Sequence, residues 1–322
     1  DTLPSVWGKL IRRQDANYNV WHVTDQDSKY WPSTTSIPVV YTIHDLNFLR
    51  EKTNQEKIDR RLKLIQKRIH QAEVVTTISH YVASEVAGHF DLGGKSIEMI
   101  YNGGPSVADS AGVEDSYAGD QVSKAGIEKR ELVLPALNLS LRSALKDKPF
   151  LFSIGEVVKK KNFHVLVDMM ENLPGYHLII SGKKETQYGK YIEEKIITLG
   201  LSSRVFLSGN ICDEDREWLY QRCAAFVFPS ITEGFGLPVI EAMHYGKPVF
   251  TSNSTSLPEV TSGLGYYWNH YEPEYMATIF RDGLAKFDGE KAQRNKVHAA
   301  SFSWQTTAER YVELYNQIVS NG

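Results

Sequence analysis

The sequence predicts an α/β fold made of two doubly wound, parallel-sheet domains that face each other across a cleft. Strand-like and helix-like segments alternate almost throughout, which is the signature of parallel strands joined by crossover helices. The chain has 322 residues, which suits two domains at roughly 150 residues each. Its 42% apolar and 23% charged residues are the balance of an ordinary globular protein with a core of normal size.

The first strand-like segment is Val20–Thr24. Val39-Val-Tyr-Thr-Ile43 follows as a buried-strand run ending in His44-Asp45. Ile58, Leu62, Ile65 and Ile69 recur at helical spacing. Val74–Ile78 is the next strand, Ser79 is suited to cap the helix after it, and Ile97–Tyr101 ends at Asn102-Gly103-Gly104. Residues 105–147 break the rhythm. Pro105–Asp120 is small, polar and acidic without a period and reads as a loop or irregular insertion, and Leu132–Leu145 is apolar without an assignable element. Regular units restart at Phe150–Ile154 and continue as strands His177–Ser181, Val205–Ser208, Ala225–Pro229, Pro248–Thr251 and Tyr266–Trp268. Between most of them lie helical segments Phe163–Leu173, Tyr191–Leu199, Asp213–Cys223, Leu237–Tyr245 and Glu274–Phe287. The predicted organisation is a first domain over 1–148, a second over 149–302, and a last helix within 303–322 that starts near Thr306 and crosses back to the first domain.

Thirty-six basic against 39 acidic residues give a net charge of −3, which argues against a nucleic acid or other general polyanion as partner. Cys212 and Cys223 are the two cysteines. They fit neither a disulfide framework nor a metal-ligand spacing and read as reduced packing residues of a reducing compartment. No apolar run approaches the ~18 residues of a membrane span, and no charged-then-apolar leader opens the chain.

The chemistry concentrates in Phe228-Pro-Ser230-Ile-Thr-Glu233-Gly-Phe-Gly236-Leu-Pro238-Val-Ile-Glu241. A buried strand runs into a two-glycine loop and then a helix start, with Pro238 in its first turn. Ligands of open α/β sheets bind at such strand ends, and free amides at a helix start suit a phosphate group. The backbone amides of Gly234, Phe235, Gly236 and Leu237 are the donors. Glu233 and Glu241 flank them, and a carboxylate beside a phosphate is repelled by it, so each is expected to address hydroxyls. A phosphate flanked by polyol groups is the ligand this pattern suits. Gly155-Glu-Val-Val-Lys-Lys160-Lys161-Asn162 joins another strand end to a helix start, and its lysines can neutralise a diphosphate. Read alone, the same lysines also fit a solvated basic turn.

These residues resemble the paired-glutamate motif and the diphosphate-gripping turn of retaining glycosyltransferases with the GT-B fold, specifically family four. Ser181-Gly182, Arg204–Gly209, Gly246-Lys-Pro-Val249 and Ser256-Leu-Pro-Glu-Val260 match further stretches in order, so the resemblance covers nearly all of 149–302. Thr42-Ile-His44-Asp45-Leu46, Thr77-Ile-Ser79 and Tyr101-Asn102-Gly103 resemble strand ends of the family's first domain. Trp21-His22-Val-Thr-Asp-Gln26 with Tyr30-Trp31-Pro32 is similar to members from bacterial surface-polysaccharide pathways.

The resemblance implies a UDP- or GDP-sugar donor and a glycan or lipid-linked glycan acceptor. It implies retention of configuration, no cofactor and no metal site. Lys161, with Lys160 and the Gly155 turn, holds the diphosphate. Glu233 meets the donor sugar, Glu241 the ribose, and His44 the transferred sugar from the other domain. Gly182, Ser230, Asn210 and Ile211 complete the donor side, the last two through backbone groups near the base. His22, Gln26, Tyr30 and Trp31 are candidates for the acceptor side. The implied location is the cytoplasm, with peripheral contact at the inner membrane face.

Two departures stand out. The family's opening strand and glycine-rich turn have no counterpart before Val20, so the first domain reads as incomplete, and Glu156 stands where many members carry arginine. The first departure keeps a non-catalytic nucleotide-sugar binder open as an alternative. An epimerase of the same architecture is the other, and the glutamates flanking Gly-Phe-Gly favour a transferase over it.

Overall fold

A computed structural model describes residues 18–32, 36–51, 54–105, 145 and 148–321. It contains two parallel α/β sheets. The first has the order β1 (Trp21–Val23), β2 (Val39–Ile43), β3 (Val74–Thr77), β4 (Ile97–Met99). All five residues of β2 are buried, as its unbroken apolar run predicts for a strand covered on both faces. Helix α1 (Phe48–Glu51) is followed by α2 (Gln55–Gln71), which packs Ile58, Ile65 and Ile69 on one face of the sheet with Val39, Tyr41 and Ile43. Asn54 caps α2 through the Lys57 amide at 3.0 Å, and Ser79 caps α3 (His80–His89) through the Val82 amide at 3.1 Å.

The second sheet is built from β5 (Phe150–Ile154), β6 (His177–Ser181), β7 (Val205–Gly209), β8 (Ala225–Phe228), β9 (Val249–Ser252) and β10 (Tyr266–Trp268), in the order β10-β9-β8-β5-β6-β7. Alternate residues go to opposite faces. Leu151, Leu178, Ile180 and Val227 enter one core. Phe150, Phe152, Ile179, Phe226 and Phe228 enter the other. Helices α4 (His164–Met169), α5 (Gln187–Thr198), α6 (Asp213–Arg222), α7 (Leu237–His244), α8 (Leu257–Thr261), α9 (Pro273–Ala285) and α10 (Gly289–Ala300) surround the sheet.

Several elements depart from expectation for local reasons. The predicted helix over Phe163–Leu173 divides into α4 and a 3₁₀ turn, Met170–Asn172. Helix α5 begins four residues before the predicted Tyr191, because Thr186 caps it by accepting from the Gly189 amide at 2.8 Å. Gly189 reads as a breaker in sequence, yet a Cβ there would lie 2.0 Å from the Lys184 carbonyl oxygen, so packing demands the glycine. Helix α10 buries only Asn295 and Ala299, which leaves little apolar period to read. The expected gap before Val20 and the irregular segment 105–147, apart from Pro105, Leu145 and Lys148 onward, lie outside the described residues. Both cysteines are free; Cys223 is buried. No helix among the described residues is long and apolar enough to cross a membrane.

The last helix, α11 (Trp304–Asn321), returns to the first sheet and lays Leu314 and Ile318 against Val40 and Ile100. His22 pins it. One ring nitrogen, Nδ1, bonds the Tyr315 hydroxyl at 2.6 Å, and Nε2 bonds the Thr42 hydroxyl at 2.7 Å. Burial, aided by the nearby His44, lowers the His22 pKa from 6.5 to about 4. The unfolded chain therefore binds a proton here near pH 6.5 that the folded chain refuses until about pH 4. Between those values the unfolded state holds more protons, so stability drops as pH falls through the window. Melting temperature should decline more steeply over that range for the native chain than for His22→Gln. Equal slopes would contradict the assignment.

Candidate functional site

The carboxyl ends of β5 and β8 meet the carboxyl ends of β2 and β3 where the two sheets face each other. Open α/β folds place ligands at such ends.

After β8, Ser230 is fully buried. The Ile231 amide donates to the Lys160 carbonyl at 2.8 Å, and the Ser230 hydroxyl lies 3.2 Å from the same oxygen, so the loop after β8 is laced to the 3₁₀ turn Lys159–Lys161 after β5. This lacing brings Lys161 Nζ to 2.5 Å from Glu233 Oε1, with both side chains 13% exposed. Ser230 Oγ donates to the same Oε1 at 2.6 Å. Lys161 Nζ also stands 4.8 Å from the centre of the Phe228 ring. Glycine at 155 leaves room for the lysine stem, since a Cβ there would sit 3.2 Å from Lys161 Cε. Gly182, at φ 131°, closes the neighbouring strand end against the Gly155 carbonyl, which a Cβ would approach to 2.1 Å.

The loop from Glu233 to Leu237 is held by its carbonyls. Ser256 Oγ lies 3.0 Å from the Glu233 carbonyl oxygen and 2.9 Å from that of Phe235. Ser79 Oγ, from the first sheet, donates to the Gly234 carbonyl at 2.8 Å. With the carbonyls engaged on one side, the amides of Gly234, Phe235, Gly236 and Leu237 donate to no group among the described residues. They lead into α7, whose start carries the positive end of the helix dipole. Gly236 precedes the helix at φ 110°, a left-handed conformation that favours glycine. The result is a row of free donors one residue from a buried carboxylate–ammonium pair.

Glu241 lies one turn into α7 and accepts from the Tyr220 hydroxyl at 2.7 Å. Burial pushes its carboxyl above the usual carboxylate range. This partner is a side chain of the chain itself, behind the helix that the glycine loop opens. Asn210 is exposed just past β7, and Ile211 is partly buried beside the core.

From the first sheet comes His44. Its amide donates to Gln26 Oε1 at 2.9 Å, and Nε2 donates to the Thr24 carbonyl at 2.7 Å, which leaves Nδ1 as the ring's acceptor. The His44 carbonyl approaches Gly234 so closely that a Cβ on Gly234 would lie 2.1 Å from it. The backbone of His44 therefore lies against the loop that carries the free amides. Thr232 reinforces the contact by donating to Asn47 Oδ1 at 2.5 Å.

Lys160 and Lys161 take different partners. A 3₁₀ turn rotates successive side chains by about 120°, and Lys160 Nζ instead meets Glu51 Oε1 of α1 at 2.7 Å. Of the proposed acceptor-side residues, three are engaged in scaffolding. His22 anchors α11. Gln26 is buried and orders the His44-Asp45 turn. Trp31 packs edge-on against Tyr41 and beneath the Arg68 guanidinium. Tyr30 is 63% exposed. A 420 Å³ cavity does open between the sheets, lined by Arg50, Glu51, Glu156, Val158, Lys159, Lys160, Ile231 and Thr232. It ends one residue from Glu233.

The sequence marks Ser256 and Glu259 only as part of a matching stretch, without a role, and does not mark Thr255. Thr255 sits at φ 55°, unusual for a β-branched residue, and its hydroxyl accepts the Glu233 amide at 3.0 Å. Ser79 was legible as a helix cap but not as a partner of Gly234.

Comparison with known proteins gives a consistent picture. Residues 3–104 match the family model described as Glycosyltransferase Family 4, and residues 141–266 match that of Glycosyl transferases group 1. Among curated proteins, the serotype-specific mannosyltransferase WbdA of Escherichia coli is 27% identical over 261 residues, covering 78% of this chain and 29% of that protein. The O-antigen chain mannosyltransferase B of Escherichia coli is 25% identical over 288 residues, covering 86% of this chain and 69% of that protein. The chain thus spans under a third of the length of WbdA. Among solved structures, sucrose-phosphate synthase from Thermosynechococcus elongatus aligns with TM-score 0.72 at 19% identity, covering 98% of this chain and 77% of that one. HepE of Anabaena, solved with UDP and glucose, aligns with TM-score 0.68 at 18% identity, covering 96% and 81%. These two share the fold.

Proposed function

We propose that this chain, which belongs to the family 4 glycosyltransferases, moves a hexosyl group from a UDP- or GDP-sugar to a glycan or lipid-linked glycan with retention of configuration. The observation that carries the reading is the Lys161–Glu233–Ser230 cluster beside the unpaired amides of Gly234–Leu237.

In this reading the donor's diphosphate takes Lys161 from Glu233. The ammonium and the four amides then neutralise the leaving group, in a half-buried site where such preorganised contacts act strongly. That supports a reaction without a cofactor or metal. Glu233, released from the lysine but still bonded by Ser230, accepts from donor-sugar hydroxyls and steadies positive charge at the anomeric carbon. His44 Nδ1 accepts from a hydroxyl of the same sugar, and Glu241 takes the ribose. The bond from the anomeric carbon to the phosphate oxygen breaks, the acceptor oxygen attacks from the same face, and its proton passes to the departing phosphate oxygen. No carboxylate serves as a nucleophile, in contrast to retaining glycosidases. The acceptor enters along the cavity beside Thr232. Mannosyl transfer in O-antigen assembly, named for the relatives above, supports a surface glycan as product and a cytoplasmic site of action beside the membrane.

The configuration is tested by following hydrolysis of an α-configured donor, in the absence of acceptor, by nuclear magnetic resonance. The first hexose released should be the α-anomer. Initial release of the β-anomer would overturn retention.

A further inference from the structure

We propose that Glu259 is a positioning residue that clasps the two sheets together and sets the distance between His44 and the donor loop, an inference that rests on the transferase reading for its catalytic consequence. Its carboxylate reaches from α8, in the second unit, to the start of α3 in the first. Oε1 accepts the His80 amide at 2.7 Å and the Tyr101 hydroxyl at 3.0 Å, and Oε2 accepts the Tyr81 amide at 2.9 Å. These amides are among those a helix start leaves without intrahelical partners, and a negative charge there also meets the positive end of the dipole. Ser79, the residue before them, donates to Gly234.

Helix α8 is therefore a strut with two ends. At its start, Thr255 and Ser256 fix the Glu233 amide and the Glu233 and Phe235 carbonyls. Within the same turn and a half, Glu259 fixes α3. Moving the first unit away would break Ser79 from Gly234, Glu259 from both amides, and the close approach of His44 to Gly234. The orientation of the donor amides is thus coupled to closure of the units.

The test uses spin labels at Lys63→Cys on α2 and Val297→Cys on α10, both exposed positions, in a Cys212→Ser background, with the distance distribution read by electron–electron resonance. Glu259→Ala should shift the distribution to longer separations. The His80 and Tyr81 amides should exchange with solvent roughly tenfold faster or more, the scale for losing hydrogen bonds to a charged group. Glu259→Gln, which keeps one acceptor oxygen, should fall between. Turnover should drop in both variants by a larger factor than the affinity for UDP or GDP alone, because Lys161 and the amides lie on one unit whereas His44 is brought by the other. Unchanged distances with unchanged exchange would overturn the clasp. Opened units with unaltered turnover would overturn the positioning role. A native chain that binds neither UDP nor GDP would sink the donor reading and leave the distance test standing.

Discussion

Glu233→Gln is expected to lower turnover by a factor of roughly 10² to 10³, the scale for losing one preorganised charge contact at the reacting centre, while leaving nucleotide affinity intact or tighter. The substitution keeps the shape and the hydrogen bond from Ser230, so the loop has no reason to move. What it removes is the charge that stabilises the anomeric carbon in the transition state. It also frees Lys161, whose Nζ is 2.5 Å from the carboxylate. Donor binding must otherwise break that pair before the diphosphate can use the lysine. Steady-state kinetics with calorimetric titration of the nucleotide would check both halves. Turnover within threefold of the native chain, or an affinity loss greater than about tenfold, would remove Glu233 from the role given to it.

Lys161→Ala should be damaging in a different way. It deletes the cation expected at the diphosphate and leaves the Glu233 carboxylate, only 13% exposed, facing the incoming anion. A charged hydrogen bond contributes about 1.5–3 kcal/mol, so nucleoside diphosphate affinity should fall by about ten- to hundredfold, with turnover falling further. The double variant Lys161→Ala, Glu233→Gln should recover part of the affinity, because the repelling carboxylate is gone. Such non-additivity is the mark of residues in contact. Untouched affinity in the single variant would show that Lys161 does not meet the diphosphate.

The fold was legible where local pattern and burial agree. The near-continuous apolar runs of β2, β5 and β6 mark strands covered on both faces. The strand–glycine-loop–helix geometry at 228–241 was legible because every ingredient is local in sequence: a strand end, two glycines and a proline-started helix. Lys161 was legible by its place in the neighbouring turn. The contacts between the units were not. Ser79 with Gly234, Glu259 with the start of α3 and Asn47 with Thr232 join residues 155, 179, 178 and 185 positions apart, and spacing along the chain carries no record of them. The partner of Lys160 was hidden for a smaller reason: three adjacent lysines look equivalent until the 3₁₀ turn sends one to Glu51. His22 and Gln26 were acceptor-side candidates through the family resemblance, and both are engaged in holding α11 and the His44 turn.

The central claim is that the free amides of Gly234–Leu237 and Lys161 form a nucleoside-diphosphate site. Calorimetric titration of the chain with a panel of nucleoside mono- and diphosphates and their sugars, without added metal, tests it most directly. The account predicts selective micromolar binding of one diphosphate, UDP or GDP, and of its sugar, with the monophosphate clearly weaker. Binding of no member of the panel, or equal affinity for mono- and diphosphate, would contradict it.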